Sequence, residues 1–187
     1  AGGMGLAIVA TLFYYKTGDG QSIGNHLLIL LAILIGTVTG WLSAKKVKMT
    51  AMPQMVAVFN GMGGGCSMLI GLIEFPRVID SPDSTIGLAA IFASIIVGAI
   101  TFSGSMIAYA KLNENLRGDI RLPYYNILNL VILLVTVGLM ICLLMHHIEN
   151  PDPWVYGLLV ISLIYGVLFV IPIGGADMPV VICLLNT

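Results

Sequence analysis

The sequence is poor in charged residues. Only 9% of its 187 residues are Asp, Glu, Lys or Arg, whereas 58% are hydrophobic. Water-soluble domains carry about 25% charged residues, so the shortage excludes an ordinary soluble domain. The net charge of −1 provides no basic surface for nucleic acid, which excludes that class of partner. The mean hydropathy of +1.02 is typical of a protein that lies in a lipid membrane.

Residues that carry covalent chemistry are equally scarce. The three cysteines, Cys66, Cys142 and Cys183, lie in apolar stretches without the spacing of a disulfide framework or a metal site. Their surroundings predict small buried side chains. The sequence contains no catalytic triad, carboxylate pair or phosphate-binding loop. It therefore predicts no catalytic, cofactor-binding or metal-binding residue within this chain.

What the sequence does contain is a series of seven apolar segments. Crossing a bilayer takes about 20 residues of helix, and the connectors between segments are short, so neighbouring helices are expected to pack antiparallel. The predicted fold class is an all-α, polytopic transmembrane helix bundle that occupies residues 1–187 as one domain. The first and last segments are short, and we expect a fragment with both end helices truncated. The segments cover residues 1–15, 23–44, 52–75, 84–111, 124–147, 154–173 and 178 onwards.

The basic residues predict an orientation. Cytoplasmic connectors are enriched in Lys and Arg, and six of the eight basic residues can be placed on one side of the membrane: Lys45, Lys46, Lys48, Lys111, Arg117 and Arg121. This orientation leaves Lys16 and Arg77 outside. It places the segments that begin near residues 52 and 178 parallel to each other, both starting at the cytoplasmic face.

These two parallel segments share a nine-residue pattern. Residues 52–60 and residues 178–186 each begin with Met-Pro, continue through six mainly apolar residues, and end in Asn. Proline suits the first turn of a helix, and seven further residues advance about 10 Å. A neutral amide at that depth is stable only if it is hydrogen-bonded or faces a wet interior. Asn60 and Asn186 are therefore predicted to line a polar, water-bearing pathway shared between their helices; the alternative is that they only hold helices together.

Other polar residues could extend this pathway. The hydroxyls of six residues can either line it or bond to their own helix: Thr37, Thr39, Ser94, Thr101, Ser103 and Ser105. Asp177 stands just before the second Met-Pro pair, where it can cap the helix or admit protons at the cytoplasmic mouth. The run Gly61–Gly65 predicts either close helix packing or a local unwinding of the helix.

Three stretches of sequence resemble a known family. Residues 44–57 (AKKVKMTAMPQMVA), residues 98–105 (GAITFSGS) and residues 174–186 (GGADMPVVICLLN) resemble the beta subunit of proton-translocating NAD(P) transhydrogenase. The resemblance implies that the chain is the proton-channel part of an enzyme that couples hydride transfer between NAD(H) and NADP(H) to proton passage. Neither cofactor would bind this fragment. The resemblance also implies that Asp177, Asn186 and Asn60 occupy family positions along the proton pathway, and Asn60 stands where many members have a protonating His.

The resemblance further implies a set of partners. These are the membrane helices of an alpha subunit, the NAD-binding domain of that subunit, and an NADP-binding domain that follows residue 187 of the same polypeptide. The complex is expected to be a twofold-symmetric dimer in the cell inner (plasma) membrane, or in the mitochondrial inner membrane if the organism is eukaryotic. Because Asn60 replaces the family His, the titrating group is expected to be a His on an alpha-subunit helix; the alternative is that the relay works differently in this chain.

Two other functions fit the residues alone. In the first, the chain is a secondary transporter subunit that binds a small solute between the two Asn-bearing helices. In the second, it is a purely structural membrane subunit whose amides only join helices. A glycine-rich nucleotide-binding fingerprint beyond residue 187 would favour the transhydrogenase.

Overall fold

The computed structural model describes residues 2–14, 25–79, 85–116, 124–145 and 150–186, and these residues are almost wholly helical. The seven helices confirm the predicted all-α fold, and within the described ranges there is no strand. Five helices, α2 to α6, are long and apolar enough to cross a membrane. The helices are α1 (Gly2–Tyr14), α2 (His26–Lys46), α3 (Met52–Val78), α4 (Thr85–Leu112), α5 (Tyr125–Leu144), α6 (Asp152–Val170) and α7 (Met178–Leu185).

The chain divides into two compact units, residues 1–48 and residues 49–187. The first unit holds α1 and α2, and no residue of α2 is buried within it. The second unit holds α3 to α7 and contains the buried residues discussed below. A single domain over residues 1–187 stays a prediction.

Helices α3 and α4 run antiparallel, as the short connector predicts. Residue numbers that rise along α3 meet numbers that fall along α4: Asn60 contacts Ser105, Ser67 contacts Ser94, and the rings of Phe75 and Phe92 lie 5.8 Å apart. The contact therefore extends along most of both helices.

Helix α6 runs parallel to α4 on another side of it. Near the start of both helices, Phe92 shares an apolar cluster with Leu158. Gly104 then lies against the backbone of Gly166, and Lys111 reaches Ile171 just past the end of α6. Helix α5 packs beside α6 and α4, so α4 is the central helix of this unit.

Helix α7 returns antiparallel to α4. It begins with Met178, which is fully buried and packs in one cluster with Ala57 and Ala108. It ends at Leu185, whose carbonyl meets the Thr101 side chain further back along α4. Because α3 and α7 both oppose α4, they run parallel to each other, as the orientation predicted from the basic residues requires. Each has its proline in the first turn.

The core of the second unit has apolar ends and a polar middle. One cluster, at the Arg77 end, consists of Phe75, Leu88, Phe92, Ile95, Leu143, Val155 and Leu158. The other, at the Lys111 end, consists of Ala57, Ala108, Val170, Met178, Val181 and Ile182. Between them lie buried glycines and hydroxyls, among them Gly64, Gly98, Thr101 and Ser105.

Two sequence-based expectations need correction. The three cysteines are exposed on the surface of the chain and not buried, because residues that face lipid are as apolar as those in a helix interface. Helix α6 ends at Val170 and not at residue 173, because Pro172 has no N–H to continue the helical bonding. Lys16, Arg117 and Arg121 lie outside the described residues, and Lys45, Lys46 and Lys48 belong to the first unit. Within the second unit, Lys111 and Arg77 stand at opposite ends of the α3–α4 pair.

Candidate functional site

The site begins with a hydrogen bond between α3 and α4. The side-chain amide of Asn60 donates to the hydroxyl oxygen of Ser105 at 3.0 Å. Ser105 is fully buried, whereas Asn60 is half-buried. The bond satisfies one of the two N–H donors of the amide and leaves its carbonyl oxygen for other partners. Asn60 therefore both joins two helices and presents polar atoms beyond them.

Glycines allow the two helices to approach closely enough for this bond. A methyl group on Gly64 would lie 2.8 Å from the carbonyl oxygen of Gly98, and one on Gly98 would lie 2.6 Å from the backbone nitrogen of Met68. No larger residue fits at either position without moving a backbone. Helix α3 is continuous from Met52 to Val78. The glycine run therefore serves close packing, and the alternative of a local unwinding is wrong.

The second amide stands where α7 ends. Asn186 follows the last helical residue, and its backbone N–H donates to the carbonyl of Cys183 at 3.2 Å. The Asn186 side chain is exposed, and it makes no hydrogen bond to another described residue. The hydroxyl of Thr101 donates to the carbonyl of Leu185 at 3.3 Å. That bond occupies one of the carbonyls that a helix end leaves unpaired.

Both amides line one open cavity of about 510 Å³ between α3, α4 and α7. Its wall combines glycine backbone, a few apolar side chains, two hydroxyls and the two amides. Such a wall can hold water molecules through its polar atoms. The lining residues are Val56, Phe59, Asn60, Gly63, Gly64, Ser67, Val97, Gly98, Thr101, Leu185 and Asn186.

The other predicted lining residues divide into three groups. Thr101 lines the cavity. Ser105 and Ser94 support it from α4: Ser105 accepts the Asn60 bond, and Ser94 bonds with Ser67, their hydroxyl oxygens 2.9 Å apart. The remaining residues bond to their own helices. Ser103 donates to the carbonyl of Ala99 and packs against Gly166 on α6, whereas Thr37 and Thr39 belong to the first unit and donate to carbonyls within α2.

Asp177 lies at the N-cap position of α7, as predicted, but its carboxylate makes no capping hydrogen bond. The side chain is exposed beside the buried Met178. Of the two roles predicted for Asp177, helix capping thus lacks the side-chain hydrogen bond that defines a cap. The carboxylate stands at the same end of the unit as Lys111 and the start of α3.

Two residues of this region escaped the sequence analysis. Ser67 lines the cavity, and its position two turns after Asn60 on α3 could have indicated that both face the same side. Lys111 was counted only as a cytoplasmic charge, yet it is 8% exposed within the last turn of α4. Nothing in the sequence marks it for burial, because the backbone carbonyls to which it donates are 60 residues and more away.

The lining has amides and hydroxyls but no charged residue. No group of His, Cys, Asp and Glu suited to a metal ion occurs in the part of the chain that the structure describes. An amide neither gains nor loses a proton near neutral pH. The cavity can therefore order water or a polar guest, and a change of protonation within it requires a group from outside this lining.

Two comparisons with known proteins identify the same family. The whole chain, residues 1–187, matches the family model described as NAD(P) transhydrogenase beta subunit. Two similar relatives, both named NAD(P) transhydrogenase subunit beta and from Rhodospirillum rubrum, are 35% identical over 192 residues. The alignment covers 99% of this chain and 39% of each relative. The chain thus spans about two fifths of the length of the relatives it matches.

Proposed function

Since the chain belongs to the NAD(P) transhydrogenase beta subunit family, we propose that it forms the proton-conducting membrane domain of a complex that transfers hydride between NAD(H) and NADP(H). The observation that supports this most strongly is the shared cavity of Asn60 and Asn186. Two amides on parallel helices, with the Thr101 and Ser67 hydroxyls beside them, provide donors and acceptors for a short chain of water molecules. Such a chain is a route for protons.

The proton acceptor in this proposal comes from a partner. Asn60 and Asn186 orient water but cannot titrate near neutral pH. A histidine on a membrane helix of the alpha subunit, facing the open side of the cavity, supplies a pKa in the required range. The half-exposed amide of Asn60 and the exposed amide of Asn186 remain available to such a group.

Helix α7 connects the cavity with the cytoplasmic mouth. It carries Asn186 at one end and Asp177 at the other, with eight helical residues between them, which places them about 13.5 Å apart along the helix axis. A change of protonation at the cavity is transmitted along α7 to Asp177, which faces an NADP-binding domain that follows residue 187. By reciprocity, the redox state of the bound nucleotide changes proton affinity by the same factor.

The remaining partners follow from the same proposal. An alpha subunit supplies the NAD-binding domain and further membrane helices, and the complex is a twofold-symmetric dimer. Hydride passes between the two nucleotide-binding domains, outside this chain. The membrane is the inner (plasma) membrane of a bacterium, or the mitochondrial inner membrane in a eukaryote.

The test is proton uptake into sealed vesicles that contain the full complex. Asn186→Leu should abolish coupled uptake and leave hydride transfer by the soluble domains intact. Asn126→Leu is the matched control, because Asn126 is an exposed amide of α5 away from the cavity lining. Normal uptake in Asn186→Leu, or an equal loss in both variants, would contradict the proposal.

A structural role is the second candidate, and the Asn60–Ser105 bond favours it. Such bonds between membrane helices contribute about 0.6 kcal/mol on average. If this is the only role of the amides, then Asn60→Ala and Asn186→Ala change assembly or thermal stability and leave proton flux unchanged.

A secondary transporter is the third candidate, and the cavity volume of about 510 Å³ favours it, because small-molecule sites typically enclose about 300–1,000 Å³. The cavity would then bind its solute without any nucleotide domain. Binding of a small polar solute to the purified complex, lost in Asn186→Leu and indifferent to NADP(H), would support this function over proton conduction.

A further inference from the structure

Lys111 is a buried cation in the last turn of α4. Its side chain is 8% exposed. Its ammonium group donates to the backbone carbonyl of Ile171 and, at 2.8 Å, to that of Ile173. A buried ammonium is costly unless it is hydrogen-bonded, and here it bonds carbonyls of a separate segment. Lys111 thus ties α4 to the link between α6 and α7.

These two carbonyls are available because of the local sequence. Helix α6 ends at Val170 with Ile171 as its C-cap residue, so the carbonyls of Ile171 and Ile173 lie beyond the helical hydrogen bonds and have no partner within the helix. Pro172 has no N–H with which to extend the ladder. A cation is also favoured at a helix C-terminus by the helix dipole. The end of α6 is therefore suited to bind an ammonium group, and Lys111 provides it.

The link that Lys111 holds leads directly into α7. Ile173 stands four positions before Asp177, and Met178 follows as the first, fully buried residue of α7. At the other end of α7, Thr101 of α4 donates to the Leu185 carbonyl. Helix α7 is therefore tied to α4 by one polar contact before its start and one at its end. Both ties come from the same central helix.

We propose that Lys111 is the positioning residue that fixes where α7 begins, and so holds Asp177 and Asn186 in register with α4. The placement of α7 is inferred from the bonds to Ile171 and Ile173. Any effect of Lys111 on proton coupling rests on the proposed function. Lys111 is not among the residues that line the cavity; it acts through the placement of α7.

The experiment uses the full complex in lipid nanodiscs and measures backbone hydrogen exchange of residues 171–182 by mass spectrometry. Lys111→Met removes both hydrogen bonds, and exchange of this segment should become at least about tenfold faster, because hydrogen bonds from a charged group are among the stronger ones. Lys111→Gln retains N–H donors without the charge, on a shorter side chain, and should show an intermediate effect. Lys111→Arg retains charge and donors and should restore most of the protection.

Gln54→Leu is the matched control. The Gln54 amide donates to the Leu112 carbonyl at 2.8 Å, one residue beyond Lys111 on α4, but it ties down α3 and not the α6–α7 link. This variant should leave exchange of residues 171–182 unchanged. Equal acceleration in Gln54→Leu and Lys111→Met would mean a general loosening of this end and would overturn the inference.

Proton uptake by the same samples separates the inference from the proposed function. Faster exchange together with a loss of coupled uptake supports both. Faster exchange with normal uptake supports the positioning role and contradicts the use of α7 in proton coupling. Unchanged exchange in Lys111→Met overturns the positioning role, whatever the uptake. If Lys111→Met does not assemble, Lys111→Gln against Lys111→Arg decides by the same criteria.

Discussion

The hydroxyl of Thr101 donates to the backbone carbonyl of Leu185 at 3.3 Å, across the contact between α4 and α7. Thr101 is 8% exposed and also lines the cavity. One side chain therefore holds the end of α7 and contributes to the polar wall beside Asn186. The position of Asn186 therefore depends on Thr101 of α4 as well as on α7 itself.

Thr101→Val, which keeps the shape and removes the donor, should weaken this contact. A bond of this kind contributes about 0.6–1 kcal/mol, which corresponds to about a three- to fivefold loss of coupled proton uptake if the position of α7 sets the rate. Thr101→Ser should retain most of the uptake. Uptake by the full complex in vesicles measures the effect.

Thr136→Val is the control for that substitution. Thr136 is 1% exposed, and its hydroxyl bonds the Ile132 carbonyl of its own helix at 2.8 Å, so its loss alters no contact between helices. If Thr101→Val keeps full proton uptake, or if Thr136→Val loses as much uptake as Thr101→Val, then the Thr101–Leu185 bond does not contribute specifically to coupled uptake.

Gly64→Ala should destabilise the contact between α3 and α4. The new methyl group would lie 2.8 Å from both the Gly98 carbonyl oxygen and the Thr101 Cβ, so the helices must separate. Overpacking of this kind costs about 1–3 kcal/mol. Thermal unfolding of the full complex should therefore shift to lower temperature, and the Asn60–Ser105 bond should lengthen.

Gly138→Ala provides the opposite expectation. Nothing lies within 4 Å of a methyl group at Gly138 on α5, and alanine favours a helix over glycine by up to about 1 kcal/mol. This variant should be neutral or more stable. A Gly64→Ala complex that unfolds at the same temperature as Gly138→Ala would contradict the close approach of α3 and α4.

Much of the fold could be predicted from the sequence. The seven apolar segments correspond to the seven helices with boundaries that differ by about three residues at most, because hydropathy and the short connectors carry that information directly. The parallel course of α3 and α7 was also predicted correctly, because the distribution of the basic residues under the positive-inside rule places both helix starts at one face. The paired Met-Pro pattern placed the first turns of both helices correctly.

The buried faces of the helices could not be predicted in the same way. Apolar residues occupy all sides of these helices, so hydrophobic periodicity does not distinguish a face toward protein from a face toward lipid. Cys66 and Cys183 were expected inside for this reason and are exposed. Ser103 and Ser105 are two residues apart on α4, yet one contacts α6 and the other contacts Asn60. Only the packing of the neighbouring helices determines which helix each of these two serines contacts.

Asn60→Ala and Ser105→Ala separate the structural role of the Asn60 amide from its role in the cavity. Each substitution should lower the free energy of unfolding of the complex. The double variant should lose less stability than the sum of the two single losses, with a coupling of about 0.6 kcal/mol from their shared bond. Coupled proton uptake should fall in Asn60→Ala and remain in Ser105→Ala, because only Asn60 lines the cavity. Equal uptake in the parent complex, both single variants and the double variant would mean that Asn60 has only the structural role.

Asp177→Ala tests whether the carboxylate at the start of α7 caps the helix or serves the proton path. A capping aspartate that is lost costs about 1 kcal/mol. Because the Asp177 carboxylate is exposed and makes no capping bond, the free energy of unfolding should change by no more than about 0.5 kcal/mol. Coupled uptake should nevertheless fall in both Asp177→Ala and Asp177→Asn, since each removes the charge.

The control for Asp177 is Asp152→Ala, which removes another exposed carboxylate from the first turn of a helix, α6. Its stability and its uptake should both remain close to those of the parent complex. A drop of about 1 kcal/mol in Asp177→Ala with unchanged uptake would assign the residue to capping. A loss of uptake at unchanged stability, absent in Asp152→Ala, would instead require a carboxylate at the mouth of the proton path, because no packing or capping contact would have been removed.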